Sequence, residues 1–402
     1  MPPLAEKVTA PAFELADILR CYGQRFLEQH GPWMNRQQRK VFRAILNCRT
    51  PALGTHVDAC PECGYAAEMF NSCRNRHCPK CQAKLRRRWI AAREREVLET
   101  PYFHVVFTVP KELNVLALQN QRLFYSLLFA ASARATLEVA ANPDRLGAEI
   151  GMLSILHTWG QNLLGHPHIH CVIPQGGISP DRTRWIQPRY RYFLPKKVLS
   201  RVFRGKFISG LKRLYHSNRL RLTGTLASLK DAKQFAQLLR QLHKNDWVVD
   251  IRPAFGGPTQ VIRYLGRYTH RVAISNHRLL NFDGEKVTFL WKDYANGGKR
   301  GPMTLQADEF LRRFFLHVLP KGFVRIRSFG FLANRFRRQK LALCRGLLPA
   351  PAAAEQTHEA TGTENKAEPH SWSCPHCGTP MVIIQRFTFW RWPSRGSFVE
   401  AQ

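Results

Sequence analysis

The sequence predicts an α+β protein with an N-terminal helical, metal-binding region over residues 1–100 and a mixed domain over 101–348. Three observations carry this reading. Short β-type runs are scattered among helical stretches rather than alternating strictly with them. Asp283-Gly284 stands between two such runs and is a hairpin signal. Five cysteines crowd between Cys60 and Cys81, the pattern of a metal-held module.

Residues 11–30 and 36–48 read as two amphipathic helices, with apolar stripes of Phe13, Leu15, Ile18 and Leu19, then Val41, Ile45 and Leu46. After the cysteines, 82–99 reads as a strongly basic helix containing Arg86, Arg87 and Arg88. Tyr102 to Val109 is a β run ended by Pro110. Helix is expected over 114–141, and strands near 151–158 and 168–174. Helices follow near 195–216 and 230–243, a strand over 247–251, and helices over 258–273, 305–318 and 332–347. Residues 349–372 are rich in Ala, Pro and Glu and read as a flexible linker. The tail, 373–402, carries a Cys374-x-x-Cys377 knuckle.

The chain has 402 residues, 61 Lys+Arg against 28 Asp+Glu, and a net charge of +33. Such an excess points to a polyanionic partner, nucleic acid before an anionic membrane surface. With 44% hydrophobic residues the chain is not disordered. No uninterrupted apolar run reaches the ~18 residues of a membrane helix, and the N-terminus lacks the order of a signal peptide. Clustered cysteines without such a signal read as cytosolic metal ligands rather than disulfides.

Cys60-Pro-Glu-Cys63-Gly and His77-Cys78-Pro-Lys-Cys81 are two turns that each aim two thiolates at one ion. Together Cys60, Cys63, Cys78 and Cys81 are expected to form one closed, structural zinc site. Cys73 and His77 are left as alternative ligands, and Cys374 with Cys377 as half a site. In a strand, residues two apart share a face, so His168 and His170 present two imidazoles side by side to a divalent metal. His166 is held in reserve, because Pro167 disfavours strand interior and places the strand start near 168. His157 ends the preceding β run and is the expected third ligand, with Gln161 and His104 as weaker candidates. Tyr264 and Tyr268, four apart on the expected helix, share one face, beside a stripe of Arg263, Arg267 and Arg271. A phenol with a pKa near ~10 is a weak nucleophile at neutral pH; a metal-bound phosphate and nearby guanidinium groups offset this.

His157-Thr-Trp-Gly-Gln161, His168-Ile-His170 and Tyr264-x-x-x-Tyr268, in that order, resemble the two-tyrosine HUH transposases of rolling-circle insertion sequences. Asn71-Ser-Cys-Arg-Asn-Arg-His-Cys-Pro-Lys-Cys81 is similar to that family's N-terminal zinc-binding domain, and the stretches from Asp308 and from His317 to Arg327 also look like it. The resemblance spans about residues 15–345. It implies an antiparallel-sheet nuclease core flanked by helices. It further implies Mg²⁺ or Mn²⁺ on His168 and His170, single-stranded DNA at transposon ends and target as partner, and a bacterial cytoplasmic location. By resemblance, Tyr264 or Tyr268 attacks the scissile phosphate, giving a 5′-phosphotyrosine and a free 3′-OH without a nucleotide cofactor. A rolling-circle replication initiator, a relaxase, a three-carboxylate transposase and a non-catalytic zinc-dependent DNA-binding protein stay open as alternatives.

Overall fold

The computed structural model describes residues 13–188, 193–253, 266, 272–293, 297–348 and 373–387. The N-terminal helices are α1 (Leu15–His30) and α2 (Arg36–Leu46). The α2 start is closed reciprocally: Gln38 N–H donates to Asn35 Oδ1 at 2.9 Å, and Asn35 N–H to Gln38 Oε1 at 2.9 Å. A hairpin of β1 (Thr55–Ala59) and β2 (Ala66–Phe70) follows, then the basic helix α3 (Pro79–Glu94).

The mixed domain contains β3 (Tyr102–Thr108), α4 (Asn114–Gln119), α5 (Gln121–Ala141), β4 (Gly151–Trp159) and β5 (Gly165–Pro174). Next come the small β6 (Gly177–Ile178) and β7 (Trp185–Ile186), α6 (Lys196–His216), α7 (Ala232–Lys244) and β8 (Val249–Pro253). Then β9 (Leu279–Phe282), β10 (Lys286–Asp293) and β11 (Lys299–Gln306) form a three-stranded sheet. The chain continues through α8 (Ala307–Leu316), β12 (Ile326–Gly330) and α9 (Arg337–Leu347), and β13 (Val382–Phe387) lies in the tail. The β9–β10 hairpin turns at the expected Asp-Gly pair, with Gly284 at φ 100°.

Where one helix was expected over 114–141, the chain breaks at Asn120. Its side chain donates to the Leu116 and Arg221 carbonyls and accepts from Arg221 N–H, diverting the backbone to a tertiary tie. The second histidine strand starts at Gly165, ahead of the expected 168. Pro167 is tolerated because it falls where the β4–β5 register shifts, between His157 and Trp159. Strands β1, β2 and β12 lie outside the expected elements.

Strand order in the main sheet is β12-β4-β5-β3-β8, and every recorded pairing is antiparallel. One face packs Phe103, Val105, Phe107, Ile169, Cys171 and Ile173 against Phe124, Phe129, Phe203 and Phe207 of α5 and α6. Among the described helices only α5 is long and apolar enough to cross a membrane, although Arg122, Arg134 and Glu138 interrupt it; its apolar side chains fill this core. The opposite face carries Tyr102, Ile155 and Val172, with Trp89 of α3 packed on them. At the β12 edge Gly330 has φ 61°, and a Cβ there would stand 1.8 Å from the Ile150 carbonyl oxygen, so only glycine ends this strand.

A second core joins α1 and α2 to residues 273–318: Phe26, Val41, Phe42 and Ile45 share it with Ile274, Phe289, Phe310, Phe314 and Phe315. It crosses the boundary expected at residue 100. The expected linker, 349–372, lies outside the described residues.

Candidate functional site

Alternation along the three central strands decides which side chains meet. Residues 103, 105 and 107 of β3 and 169, 171 and 173 of β5 enter the α5–α6 core, so His104, His168 and His170 emerge on the opposite face. On β4, His157 shares that face with Ile155, and the register sets His157 opposite His168. One ring nitrogen from each of His157, His168 and His170 lies within 4.8 Å of the others. Two nitrogens bound to one ion at about 2.1 Å stand at most about 4.2 Å apart, so small side-chain rotations suffice to share a divalent ion. His157 and His170 are buried, while His168 is partly open. The donor set is three neutral nitrogens, which fits a site with positions left for oxygen ligands.

The hydrogen bonds around the rings fix which nitrogen each presents. His168 Nδ1 lies 2.6 Å from the His166 carbonyl oxygen. A carbonyl only accepts, so Nδ1 carries the proton and Nε2 keeps its lone pair. His104 Nε2 lies 2.8 Å from His170 Nδ1. For His170 to offer Nε2 to a metal, its Nδ1–H donates to His104, which backs the site instead of entering it. Burial, then the charge of Arg252, pushes His104 down to about 4, so it is a neutral acceptor at physiological pH. Trp159 stacks on His157 with centroids 4.9 Å apart and planes at 19°. His317 pins the end of β4: Nε2–H donates to the Leu163 carbonyl at 2.8 Å, and Nδ1 accepts from the Thr158 hydroxyl at 3.1 Å. The Gln161 backbone carbonyl accepts from Arg278 Nη2 at 2.6 Å.

The single zinc site expected from Cys60, Cys63, Cys78 and Cys81 does not form. The thiols divide into two groups, Cys48 with Cys73, Cys78 and Cys81, and Cys60 with Cys63, Cys374 and Cys377. The reason is the β1–β2 hairpin, which lies outside the expected elements. Cys60 and Cys63 sit at its tip; at about 3.3 Å per residue, five residues of strand carry that tip roughly 16 Å from the base. Cys73, leaving the base, meets Cys48 at the end of α2 and Cys78 and Cys81 at the start of α3. Cys48–Cys81 and Cys73–Cys81 sulfurs are 3.6 Å apart. Four sulfurs about 2.3 Å from one Zn²⁺ stand about 3.8 Å apart, whereas a disulfide requires about 2.0 Å. Hydrogen bonds from Cys48, Cys73 and Cys78 hold the Cys81 thiol well below its usual range, the start of a thiolate site. Cys48 was missed because it belongs to no C-x-x-C pair. His77 is buried and held down to about 3 by that burial; its Nε2 accepts from Leu319 N–H at 3.4 Å rather than joining the sulfurs.

Helix α3 leaves the first thiol group, with Arg86 exposed on it. The side chains of Arg87 and Arg88 lie outside the described residues, as do Tyr264, Tyr268, Arg263, Arg267 and Arg271. Of the expected helix 258–273, Gly266 is helical, and residues 272–273 are not. Gly266, between the two tyrosines in sequence, lies against α3: a Cβ there would stand 2.3 Å from Ile90 Cδ1 and 3.8 Å from Arg86 Cγ.

Comparison with known proteins bears on what this arrangement serves. A family model described as "Putative transposase" matches residues 151–340, and one described as "Transposase zinc-binding domain" matches 18–109. The chain is 49% identical over 380 residues to "Putative transposase y4qJ" of Sinorhizobium fredii, covering 93% of this chain and 95% of that one. The chain belongs to this transposase family. It is also 26% identical over 356 residues to the transposase for insertion sequence element IS801 of Pseudomonas savastanoi, covering 84% of this chain and 81% of that one. No solved structure matches this transposase. The zinc-binding match spans Cys48, Cys60, Cys63, Cys73, Cys78 and Cys81, and stops far short of Cys374 and Cys377.

Proposed function

We propose that this transposase nicks and joins single-stranded DNA by tyrosine transesterification at the imidazole face of the main sheet. The convergence of His157, His168 and His170 on one point carries the reading. These three side chains would hold Mg²⁺ or Mn²⁺, which when bound supplies Lewis-acid polarisation of a phosphate oxygen. The protein's own residues do the rest. His104 keeps His170 in the tautomer that presents Nε2, and the His166 carbonyl does the same for His168. Arg86 and the arginines of α3 receive the DNA backbone. The phenol oxygen of Tyr264 or Tyr268 attacks the scissile phosphorus as the bond to the 3′-oxygen breaks. The phenol proton passes through water to that oxygen, leaving a 5′-phosphotyrosine and a 3′-OH. The second tyrosine serves a second cut before the first link is resolved. The contact of Gly266 with Ile90 supports this reading, because α3 lies on the imidazole side of the sheet. The Cys48 group would hold a structural Zn²⁺ that fixes the start of α3.

The test is incubation of end-labelled single-stranded and duplex oligonucleotides carrying the element's ends with protein and Mn²⁺, read on denaturing gels. Wild type is expected to give a covalent adduct on single strands. His168→Ala and His170→Ala should abolish cleavage, and the Tyr264→Phe, Tyr268→Phe double variant should abolish the adduct while still binding DNA. An adduct that survives the double variant refutes the nucleophile assignment, and cleavage of duplex as readily as single strand refutes the substrate.

A further inference from the structure

Two segments more than 300 residues apart carry the same five-residue pattern, Cys60-Pro-Glu-Cys63-Gly and Cys374-Pro-His-Cys377-Gly. They fold alike. Gly64 N–H donates to the Cys60 carbonyl at 3.1 Å and Cys60 N–H to the Tyr65 carbonyl at 2.8 Å. Gly378 N–H donates to the Cys374 carbonyl at 2.9 Å and Cys374 N–H to the Thr379 carbonyl at 2.8 Å. Gly64 and Gly378 both occupy the left-handed region, at φ 70° and 77°, so each turn needs its glycine. Each turn leaves two thiols on one side, and the two turns face each other. Cys60–Cys377 sulfurs are 3.4 Å apart, Cys63–Cys374 3.5 Å and Cys63–Cys377 3.7 Å.

We infer that Cys60, Cys63, Cys374 and Cys377 form a second zinc site, which clasps the C-terminal segment onto the N-terminal module. The sulfur separations approach the edges of a ZnS₄ tetrahedron, about 3.8 Å, and are far beyond the roughly 2.0 Å of a disulfide. Four thiolates this close repel one another without a cation between them, and a soft divalent ion removes that repulsion. The surroundings are built for the joint. Tyr65 stacks on His376 with centroids 4.6 Å apart, and Met381 is buried beside Cys60 and Cys374. Strand β13 pairs antiparallel with β1, from Thr55↔Phe387 to Ala59↔Val382, making it the third strand of the hairpin sheet. Asn71 Nδ2 donates to the Phe387 carbonyl at 3.1 Å. Half of the metal ligands and one strand of the sheet thus come from beyond the main domain. The site is closed and holds no position for substrate, so its work is to join the two ends of the chain.

Two measurements on the full-length protein test this. Elemental analysis should find two zinc ions per chain in wild type and one in the Cys374→Ser, Cys377→Ser double variant. A protease site inserted near residue 360 gives the second. After cleavage of the zinc-loaded protein, the C-terminal fragment should co-elute with the remainder on gel filtration and separate once a chelator strips the metal. The second measurement needs no cysteine substitution and does not depend on the variant folding. A zinc count that does not fall by one in the double variant, a disulfide between the pairs, or co-elution that persists in the metal-free protein would each overturn the clasp. None of these outcomes depends on the nuclease chemistry.

Discussion

His317→Gln separates two properties of one buried ring. His317 is 3% exposed, and its two nitrogens are used by the Leu163 carbonyl and the Thr158 hydroxyl. Burial pushes its pKa from 6.5 down to about 4, against a small opposing effect of the Leu163 hydrogen bond. An unfolded chain takes up this proton as pH falls through about 6.5, and the folded chain does so only near 4. Stability from this group is therefore complete above 6.5 and is lost on acidification between those values. An interval of about 2.5 pH units at 1.36 kcal/mol each corresponds to about 3 kcal/mol. Glutamine reproduces the neutral pattern, an N–H₂ for Leu163 and a carbonyl for Thr158, and does not titrate. Thermal unfolding of both proteins should give stabilities within about 1 kcal/mol at pH 7.5, while by pH 4.5 the Gln variant should be more stable by about 2–3 kcal/mol. Taking the difference between variants cancels acid effects common to both, including loss of metal and the titration of His104. His317→Ala, which leaves two buried partners unsatisfied and also does not titrate, should instead be about 2–5 kcal/mol less stable than the Gln variant at every pH. A wild-type-minus-Gln difference that stays flat from pH 7.5 to 4.5 would falsify the assignment of a buried, neutral His317.

Two further outcomes follow from the same geometry. His104→Ala removes the acceptor behind His170 and should raise the Mn²⁺ concentration for half-maximal cleavage by about 10–100-fold, with activity returning at high Mn²⁺; an unchanged metal requirement would mean that His104 has no hold on the site. With +33 net charge, affinity for single-stranded DNA should fall linearly on logarithmic axes of salt, and Arg86→Ala should reduce the slope by about 0.7 if Arg86 neutralises one phosphate; a salt-independent Kd measured by fluorescence anisotropy would remove the phosphate-contact argument.

What the sequence determined here is local. Period-two spacing put His168 and His170 on one face whatever the rest of the fold, because a strand alternates. A separation of eleven positions from His157 to His168 fitted a short connection, and the Asp-Gly pair fixed a turn. The order of cysteine, histidine and tyrosine motifs pointed to the transposase family that the relatives confirm. Partnership among chemically equivalent groups was not legible. Any two C-x-x-C turns make an equally good tetrahedron, so spacing favoured joining Cys60 and Cys63 to Cys78 and Cys81. The only hint of the other pairing was the repeated Cys-Pro-x-Cys-Gly pattern. The β1–β2 hairpin decided otherwise by holding the two pairs at opposite ends of its length. Cys48 entered because α2 ends beside α3, and Cys374 and Cys377 because β13 pairs with β1. His104 changed from a candidate ligand to the residue behind one because β3 lies beside β5 in a register that sets Val106 opposite His170 and leaves His104 two residues along. These are contacts between elements distant in sequence, fixed by hydrogen-bonded register and core packing, and residue spacing along the chain carries no measure of either.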